Sequence, residues 1–401
     1  MKALSILAIF GTRPEAIKMA PVVKQLERYP EKLHVQVCVT GQHRQMLDQV
    51  LSLFSITPDY DFNLMQANQT PNYVASQVLH HLDTLLGEVK PDWILVQGDT
   101  TTVMAAAIAA HNRRVKVGHV EAGLRTYDRN NPFPEEMNRV VTDHISDLHF
   151  APTPQAARNL LQEGIRKDSI HITGNTVIDA LQWVVRQPAT TELEQLLYRV
   201  GVKNNNKSEG APAQAAAAHS PTEKSLILVT AHRRENFGQP IRDICRALQL
   251  LSERGDVHIV YPVHMNPNIR EPVHELLGSA PGITLLAPVD YLTLAHLMKH
   301  SRLILTDSGG IQEEAPTLGV PVLVLREATE RPEAVKAGAA CLVGTDAEQI
   351  FSQVQALLED ATAYNRMSKA VNPYGDGLAA HRIAQVLMEG NCQPFQEEQL
   401  G

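Results

Sequence analysis

Asp307-Ser308-Gly309-Gly310 breaks an apolar run, Leu303 to Thr306, and Ile311-Gln312-Glu313-Glu314 follows directly, until Gly319 stops the pattern. A strand, a glycine pair and a fresh helix start together make a seat for an anion. The first-turn N–H groups of a helix have no intrahelical partners, and the dipole favours negative charge there. Glycine at 309 and 310 lets the backbone approach a phosphate, because no Cβ intervenes. Glu313 suits a first turn by dipole alone, whereas Glu314 is the kind of group that holds ribose or sugar hydroxyls. In the first strand–helix turn, Gly11-Thr12-Arg13-Pro14-Glu15, the cations Arg13 and Lys18 lie near a helix start. The dipole disfavours them there by a few tenths of a kcal/mol up to about 1 kcal/mol, and a phosphate or diphosphate between them reverses that sign. Ala231-His232-Arg233-Arg234 gathers a histidine and two arginines at a strand end, which is costly unless charge opposes them. Three carboxylates occupy similar turns: Asp99 after Trp93–Gln97, Glu121 after Lys116–Val120, and Glu135 after the Pro-bounded loop 131–134. Asp99 can serve simply as a cap and Glu135 as a dipole-favoured first-turn acid; the carboxyl ends of strands are also where ligands meet open α/β sheets.

Such turns need parallel sheets to position them. Apolar β-runs alternate with helical periods from the start, the pattern of βαβ units. In the first half the runs are Ser5–Phe10, Val35–Val39, Trp93–Gln97, Lys116–Val120 and Leu148–Ala151. Thr12 and Glu15 have capping-box spacing, Ile17, Ala20, Val23 and Leu26 give an inner helical face, and Pro21 predicts a kink. From about 188 to 224 the character changes: Asn204-Asn205-Asn206, Gly210, Pro212 and the Ala215–Ala218 run predict an exposed, partly disordered insertion. The alternation restarts with Ser225–Thr230, His258–Pro262, Ile283–Leu286, Leu303–Thr306 and Val322–Leu325. Helices Ala347–Asp360 and His381–Glu389 follow, with Asn372-Pro373-Tyr374-Gly375-Asp376-Gly377 between them as a crossover loop. The expected fold is α/β, with two doubly wound domains facing across a cleft. Arg13, Lys18, Asp99, Glu121 and Glu135 come from one wall, and His232, Ser308, Gly309, Gly310, Glu314 and Arg331 from the other. The expected division is 1–187 with a returning helix at about 376–395, the insertion 188–224, and a nucleotide-binding domain over 225–375.

At 401 residues there is length for two or three cores. Apolar content of 44% and charged content of 20% are ordinary for a globular protein, and a net charge of −8 with no basic stripe argues against nucleic acid. Four cysteines lie far apart without Cys-x-x-Cys spacing, as expected of reduced thiols rather than a disulfide frame or a zinc site. His119-Val120-Glu121 resembles the His-x-Glu of zinc deaminases, but no cysteine pair follows it, so no metal is expected. The first residues run straight into a strand, and no charged leader, long apolar span or lipidation signal stands out, so a cytoplasmic protein without membrane partners is expected. Gly-x-Gly-x-x-Gly is missing after the first strand, and so is Gly-Lys-Ser/Thr, which excludes a NAD-type or Walker motif.

Longer stretches carry a resemblance. They are residues 10–21 (Phe-Gly-Thr-Arg-Pro-Glu-Ala-Ile-Lys-Met-Ala-Pro), 98–102 (Gly-Asp-Thr-Thr-Thr), 118–126 (Gly-His-Val-Glu-Ala-Gly-Leu-Arg-Thr) and 134–139 (Pro-Glu-Glu-Met-Asn-Arg). With them go 174–181 (Gly-Asn-Thr-Val-Ile-Asp-Ala-Leu), 231–236 (Ala-His-Arg-Arg-Glu-Asn), 307–316 (Asp-Ser-Gly-Gly-Ile-Gln-Glu-Glu-Ala-Pro), 329–333 (Thr-Glu-Arg-Pro-Glu) and 372–377 (Asn-Pro-Tyr-Gly-Asp-Gly). The chain resembles the bacterial non-hydrolysing UDP-N-acetylglucosamine 2-epimerases over nearly its whole length, apart from about 190–223 and the last ten or so residues. The resemblance implies a GT-B arrangement of two Rossmann-like domains whose last helix crosses back to the first. It implies interconversion of UDP-GlcNAc and UDP-ManNAc without NAD, metal or other cofactor, supply of ManNAc units for surface polysaccharide, and a homodimer. By resemblance Arg13, Lys18, His232, Ser308, Gly309 and Gly310 bind the diphosphate region, Glu314 holds ribose, and Arg331 belongs to the same nucleotide site. Asp99, Glu121, Glu135 and His232 are its catalytic candidates. Val289 and Leu294 fall in the segment placed against uracil, where a relative has Gln and Phe, and Gln97 replaces a frequent His. Gln42, Gln45, Arg233 and His264 match the set that holds a second, activating UDP-GlcNAc in some relatives, while Asn68 stands where an Arg is expected.

The implied reaction explains the residue types. Hydrogen on sugar carbon 2 is not next to a carbonyl, so direct abstraction is hard; loss of UDP from carbon 1 makes it acidic. UDP and a glycal result, and UDP re-adds after a proton reaches the opposite face. This calls for strong stabilisation of the departing diphosphate and for acid/base groups reaching both ring faces. The alternatives are an epimerase of a related UDP-amino sugar, a retaining glycosyltransferase of the same architecture, a hydrolysing relative, and a non-catalytic nucleotide-sugar sensor.

Overall fold

The computed structural model describes residues 3–41, 44–64, 66, 69–201 and 224–396. Gln42, the side chain of Gln45, Asn68 and most of the expected insertion (202–223) lie outside the described residues. The chain divides into two compact units, Met1–Gln182 with Tyr374–Gly401, and Trp183–Pro373.

The first unit is built on a parallel sheet of strands β1 (Leu4–Phe10), β2 (Leu33–Val39), β3 (Tyr60–Asp61), β4 (Trp93–Gln97), β5 (Lys116–Val120), β6 (Leu148–Ala151) and β7 (Ile170–Ile172). Their spatial order is β3-β2-β1-β4-β5-β6-β7. Ile6 to Phe10 are wholly buried, as expected for a central strand covered on both faces. β1 pairs with β2 on one side (Ile6↔Val35) and with β4 on the other (Ile6↔Trp93). The chain therefore reverses its winding direction between β1 and β4, and that switch point opens a crevice at their carboxyl ends. Gly11 to Arg13 and Gly98 to Asp99 are the turns there.

The second unit repeats the plan with β8 (Ser225–Thr230), β9 (Val257–Pro262), β10 (Ile283–Leu286), β11 (Leu303–Thr306), β12 (Val322–Val324) and β13 (Ala340–Leu342). Their order, β10-β9-β8-β11-β12-β13, puts the switch point between β8 and β11, paired in parallel as Ile227↔Leu303 through Thr230↔Thr306. Its core gathers Ile227, Val229, Ile244, Leu248, Ile259, Leu305 and Leu323, all essentially without exposed surface. Each such side chain contributes about 1.5–3 kcal/mol by leaving water.

Several boundaries differ from the sequence reading. β3, β7 and β13, of two or three residues each, were not anticipated; the equally short β12 was, because it lies in the four-residue apolar run Val322–Leu325. Residues Thr191–Arg199, expected within the insertion, form a helix with Thr190 as its N-cap and Leu193 and Leu196 buried. The run from Gly309 changes from α-helix (Gly309–Glu314) to 3-10 (Ala315–Leu318) before Gly319 ends it at φ +67°.

The C-terminal residues belong to the first unit. Asp179 accepts from the backbone N–H of Ala379 (3.2 Å) and Ala380 (2.8 Å), the first two residues of the final helix, Ala379–Glu389. Arg382 of that helix donates two bonds to Asp376 (2.7 and 2.6 Å) and one to the carbonyl of Thr173 (3.0 Å). Among the described residues, no helix is long and apolar enough to cross a membrane.

Candidate active site

In the first unit the switch-point turns are tied together by an acid that faces inward. Glu15, one turn into the helix Arg13–Leu26, is buried. Its Oε2 accepts from the N–H of Gly11 (3.0 Å) and Thr12 (2.6 Å), and its Oε1 from the Thr100 hydroxyl (2.7 Å). Burial pushes its carboxyl above the usual range, and the hydrogen bonds from Thr100, Thr12 and Gly11 oppose that. Arg13 and Lys18 lie on the same helix, and the structure separates their fates. Arg13 is half-buried. Lys18 donates to both oxygens of Glu121, at 2.8 and 2.6 Å.

Glu121 follows β5 with φ +66°, a left-handed conformation that a side chain rarely adopts at a cost of roughly 1–2 kcal/mol. Gln97, at the end of β4, donates to its Oε2 at 2.6 Å. Lys18 and Gln97 thus aim the carboxyl group of Glu121. Two residues on, Gly123 has φ +85°, and a Cβ there would meet the carbonyl oxygen of Ala156 at 2.3 Å, so only glycine fits.

Asp99 follows β4 and keeps about a third of its side chain exposed. Arg139 donates to its Oδ2 at 2.5 Å, and Asn138 donates to its carbonyl at 2.9 Å. Arg139 also reaches Glu136 (3.2 Å), whose carboxylate accepts from the N–H of Thr126 and Tyr127. Glu135 and Glu136 thus divide their work. Glu136 is buried and holds the 126–127 turn, whereas Glu135, half-buried, makes no ion pair among the described residues.

Both ring nitrogens of His119 meet protein partners. Its Nδ1 meets Asp143 at 2.6 Å and its Nε2 donates to the carbonyl of Gly98 at 2.7 Å, all without exposed side-chain surface. Asp143 also accepts from Arg125 (2.8 Å) and the N–H of Gly123 (3.2 Å). Burial would raise the Asp143 carboxyl, but His119 and Arg125 overcome it and hold it down at about 2. This buried network fixes Gly98 beside Asp99 and Gly123 beyond Glu121.

In the second unit, Ser308 is the N-cap residue of the helix that starts at Gly309, and its own N–H donates to the Thr306 hydroxyl (2.9 Å). A Cβ on Gly309 would lie 3.7 Å from Arg233 Nη2 and 3.8 Å from Arg331 Cζ. Two guanidinium groups therefore flank a helix start, which is the composition of an anion seat. Arg233, expected only in the activator set, is part of that surrounding. Glu313, read from sequence as a dipole-favoured acid, is instead the ion-pair partner of Arg331 Nε. Glu314 Oε2 accepts from the buried Tyr291 hydroxyl at 2.6 Å, which fixes the carboxylate. His232 stacks on His264, ring centroids 5.6 Å apart. Val289 and Leu294, on either side of Tyr291, are half-buried.

A family profile described as UDP-N-acetylglucosamine 2-epimerase matches residues 24–388. The chain belongs to this family. The UDP-N-acetylglucosamine 2-epimerase of Salmonella typhimurium is 51% identical over 385 residues, covering 96% of this chain and 98% of that one. The Bacillus subtilis UDP-N-acetylglucosamine 2-epimerase is 49% identical over 389 residues, covering 97% of this chain and 96% of the other. The crystal structure of the Neisseria meningitidis enzyme of that name bound to UDP-GlcNAc superposes with a TM-score of 0.83 at 44% identity, covering 96% of this chain and 100% of that one.

Within this family fold, sequence reasoning left out Arg139, Tyr291, Asp143 and Asp307. Arg139 sits in the 134–139 segment four residues after Glu135, a spacing that puts both on one helix face and could have suggested it. Tyr291, Asp143 and Asp307 meet their partners only through the sheet, and no spacing along the chain signals that.

Proposed function

We propose that this chain interconverts UDP-GlcNAc and UDP-ManNAc. UDP leaves carbon 1 as the carbon-2 proton is removed, giving a glycal. A proton is then delivered to the other face of carbon 2 while UDP returns to carbon 1. The observation that carries the reading is the helix start at Gly309 and Gly310, flanked by Arg233 and Arg331 and followed by Glu314 on Tyr291, in a chain of this family.

In this reading Ser308, Gly309, Gly310, Arg331, His232 and Arg13 hold the diphosphate, with Arg233 assigned to it as well. Glu314 takes the ribose hydroxyls, and the Val289–Leu294 segment meets uracil. Negative charge grows on the leaving oxygen, so preorganised donors there act on the transition state and contribute about 3–4 kcal/mol apiece. Glu121, aimed by Lys18 and Gln97, and Asp99, aimed by Arg139, supply acid/base catalysis with Glu135 and His232. His264, with Gln42 and Gln45, is assigned to a second UDP-GlcNAc, and Arg233 is moved from that set to the diphosphate. The enzyme works in the cytoplasm as a homodimer.

A proton NMR time course with UDP-GlcNAc in heavy water, without acceptor sugar, tests this. The expected result is appearance of UDP-ManNAc with deuterium at carbon 2 of both epimers. Turnover without label refutes elimination, and release of free N-acetylmannosamine or a strict need for an acceptor assigns the chain to a hydrolase or a glycosyltransferase.

A further inference from the structure

Asp307 is the first residue after β11, and none of its side chain is exposed. One of its oxygens is saturated: Oδ2 accepts from the N–H of His232 (2.7 Å), the N–H of Arg233 (2.8 Å) and Asn236 Nδ2 (2.9 Å). The other is not. Oδ1 is buried without a hydrogen-bond partner and lies 3.3 Å from His232 Nδ1. A buried carboxylate oxygen lacking a donor is unfavourable, and the imidazole is the nearest donor on hand. The pairing of β8 with β11 creates this meeting: the register ends at Thr230↔Thr306, so the residues just past both strands must converge.

We propose that Asp307 is a positioning residue that keeps a proton on Nδ1 of His232, so that Nε2 is the nitrogen through which His232 acts. This deepens the proposed function and rests on it for the role of His232. An ionised Asp only accepts, so a ring edge facing it must carry hydrogen. In the neutral ring Nε2 then offers a lone pair, and when Nε2 takes up a proton the carboxylate stabilises the resulting imidazolium. The other charges facing the ring oppose that step. Burial lowers the affinity of His232 for a proton, Asp307 raises it, and His264 and Arg233 lower it again. Asp307 is thus the neighbour that favours the protonated ring.

Asp307→Asn tests the assignment. The amide oxygen can take over the three N–H donors of Oδ2, which turns its NH2 toward Nδ1 and forces the proton to Nε2. In nitrogen-15 spectra of histidine-labelled protein at alkaline pH, wild-type His232 is expected as the Nδ1–H tautomer and the variant as Nε2–H. The kcat of the variant is expected to fall by about 10²- to 10⁴-fold, with KM for UDP-GlcNAc changed by less than about threefold. On a His232→Ala background the same substitution is expected to cost less than about threefold, because Asp307 acts through the missing ring. An Nε2–H tautomer in the wild type overturns the proposal, and so does an equal loss on both backgrounds. If the Asn variant fails to fold, the wild-type tautomer still decides. Failure of the epimerase reading shows separately, as absence of carbon-2 labelling by the wild type.

Discussion

The final helix is anchored by a carboxylate whose charge opposes its own burial, which makes the anchoring pH-dependent. Asp179 receives the N–H groups of Ala379 and Ala380 at the start of the helix Ala379–Glu389. Burial dominates and pushes its carboxyl from 3.8 up to about 7; the two N–H donors oppose this, and nearby Asp376 adds to it. The folded state therefore holds the proton more tightly than the unfolded chain does. Between the two values stability falls as pH rises: the contribution is fully present below about pH 4 and is gone once pH passes about 7. At ~1.4 kcal/mol per unit, this integrates to about 3 kcal/mol lost between pH 5 and pH 8. Hydrogen exchange of the 379–389 amides, corrected for the intrinsic pH dependence of exchange, reads that local opening energy directly. The wild type is expected to be best protected near pH 5 and to lose about two orders of magnitude of protection by pH 8, the same ~3 kcal/mol expressed as an equilibrium constant. Asp179→Asn removes the ionisation. It retains one acceptor, so protection at pH 5 is expected to fall by about 1 kcal/mol for the lost hydrogen bond, while the slope toward pH 8 flattens. A variant that keeps the wild-type slope refutes the reasoning.

Glu121→Gln is expected to leave the fold and UDP affinity within a few-fold of wild type by calorimetry while turnover falls by about 10²–10⁴; near-normal turnover returns Glu121 to a structural role beside Lys18. Gly309→Ala places a methyl group at ordinary contact distance from Arg233 and Arg331, so melting temperature is expected to hold or rise slightly, helped by up to about 1 kcal/mol of helix propensity. UDP affinity is expected to drop at least about tenfold, and an unchanged Kd removes the helix start from the diphosphate site. Asp143→Asn strips the counter-charge from buried Arg125 and a hydrogen-bond partner from His119, and is expected to cost about 3–5 kcal/mol in denaturant titration at pH 7. In the wild type this stabilisation holds above the ordinary Asp range and is lost only as pH falls toward about 2, so a loss below about 1 kcal/mol at pH 7 contradicts the network.

How far the sequence reached depended on whether a signal was local. The strands of five or more residues, the Gly309–Gly310 break and the Thr12–Glu15 cap are set by neighbours within a few positions, and each was readable. Glu15 shows where that ends: its link to Thr100 spans 85 positions and exists only because β1 and β4 are adjacent. His119 is sharper still. Read along the chain, His119-x-Glu121 looks like a single His-x-Glu unit, although no metal is expected there. In a strand, residues two apart share a face, yet φ +66° at Glu121 turns that residue out of the strand. His119 goes to Gly98 and Asp143, Glu121 to Lys18 and Gln97, and the apparent motif is divided between two networks. The same division explains Lys18 and Arg233. Both were placed by resemblance to their motifs, but a cation is claimed by whichever charge the fold brings nearest. For Lys18 that charge is the Glu121 carboxylate across the switch point. Arg233 instead meets Glu330 at 3.5 Å and lies beside the helix start at Gly309, the position proposed for the diphosphate.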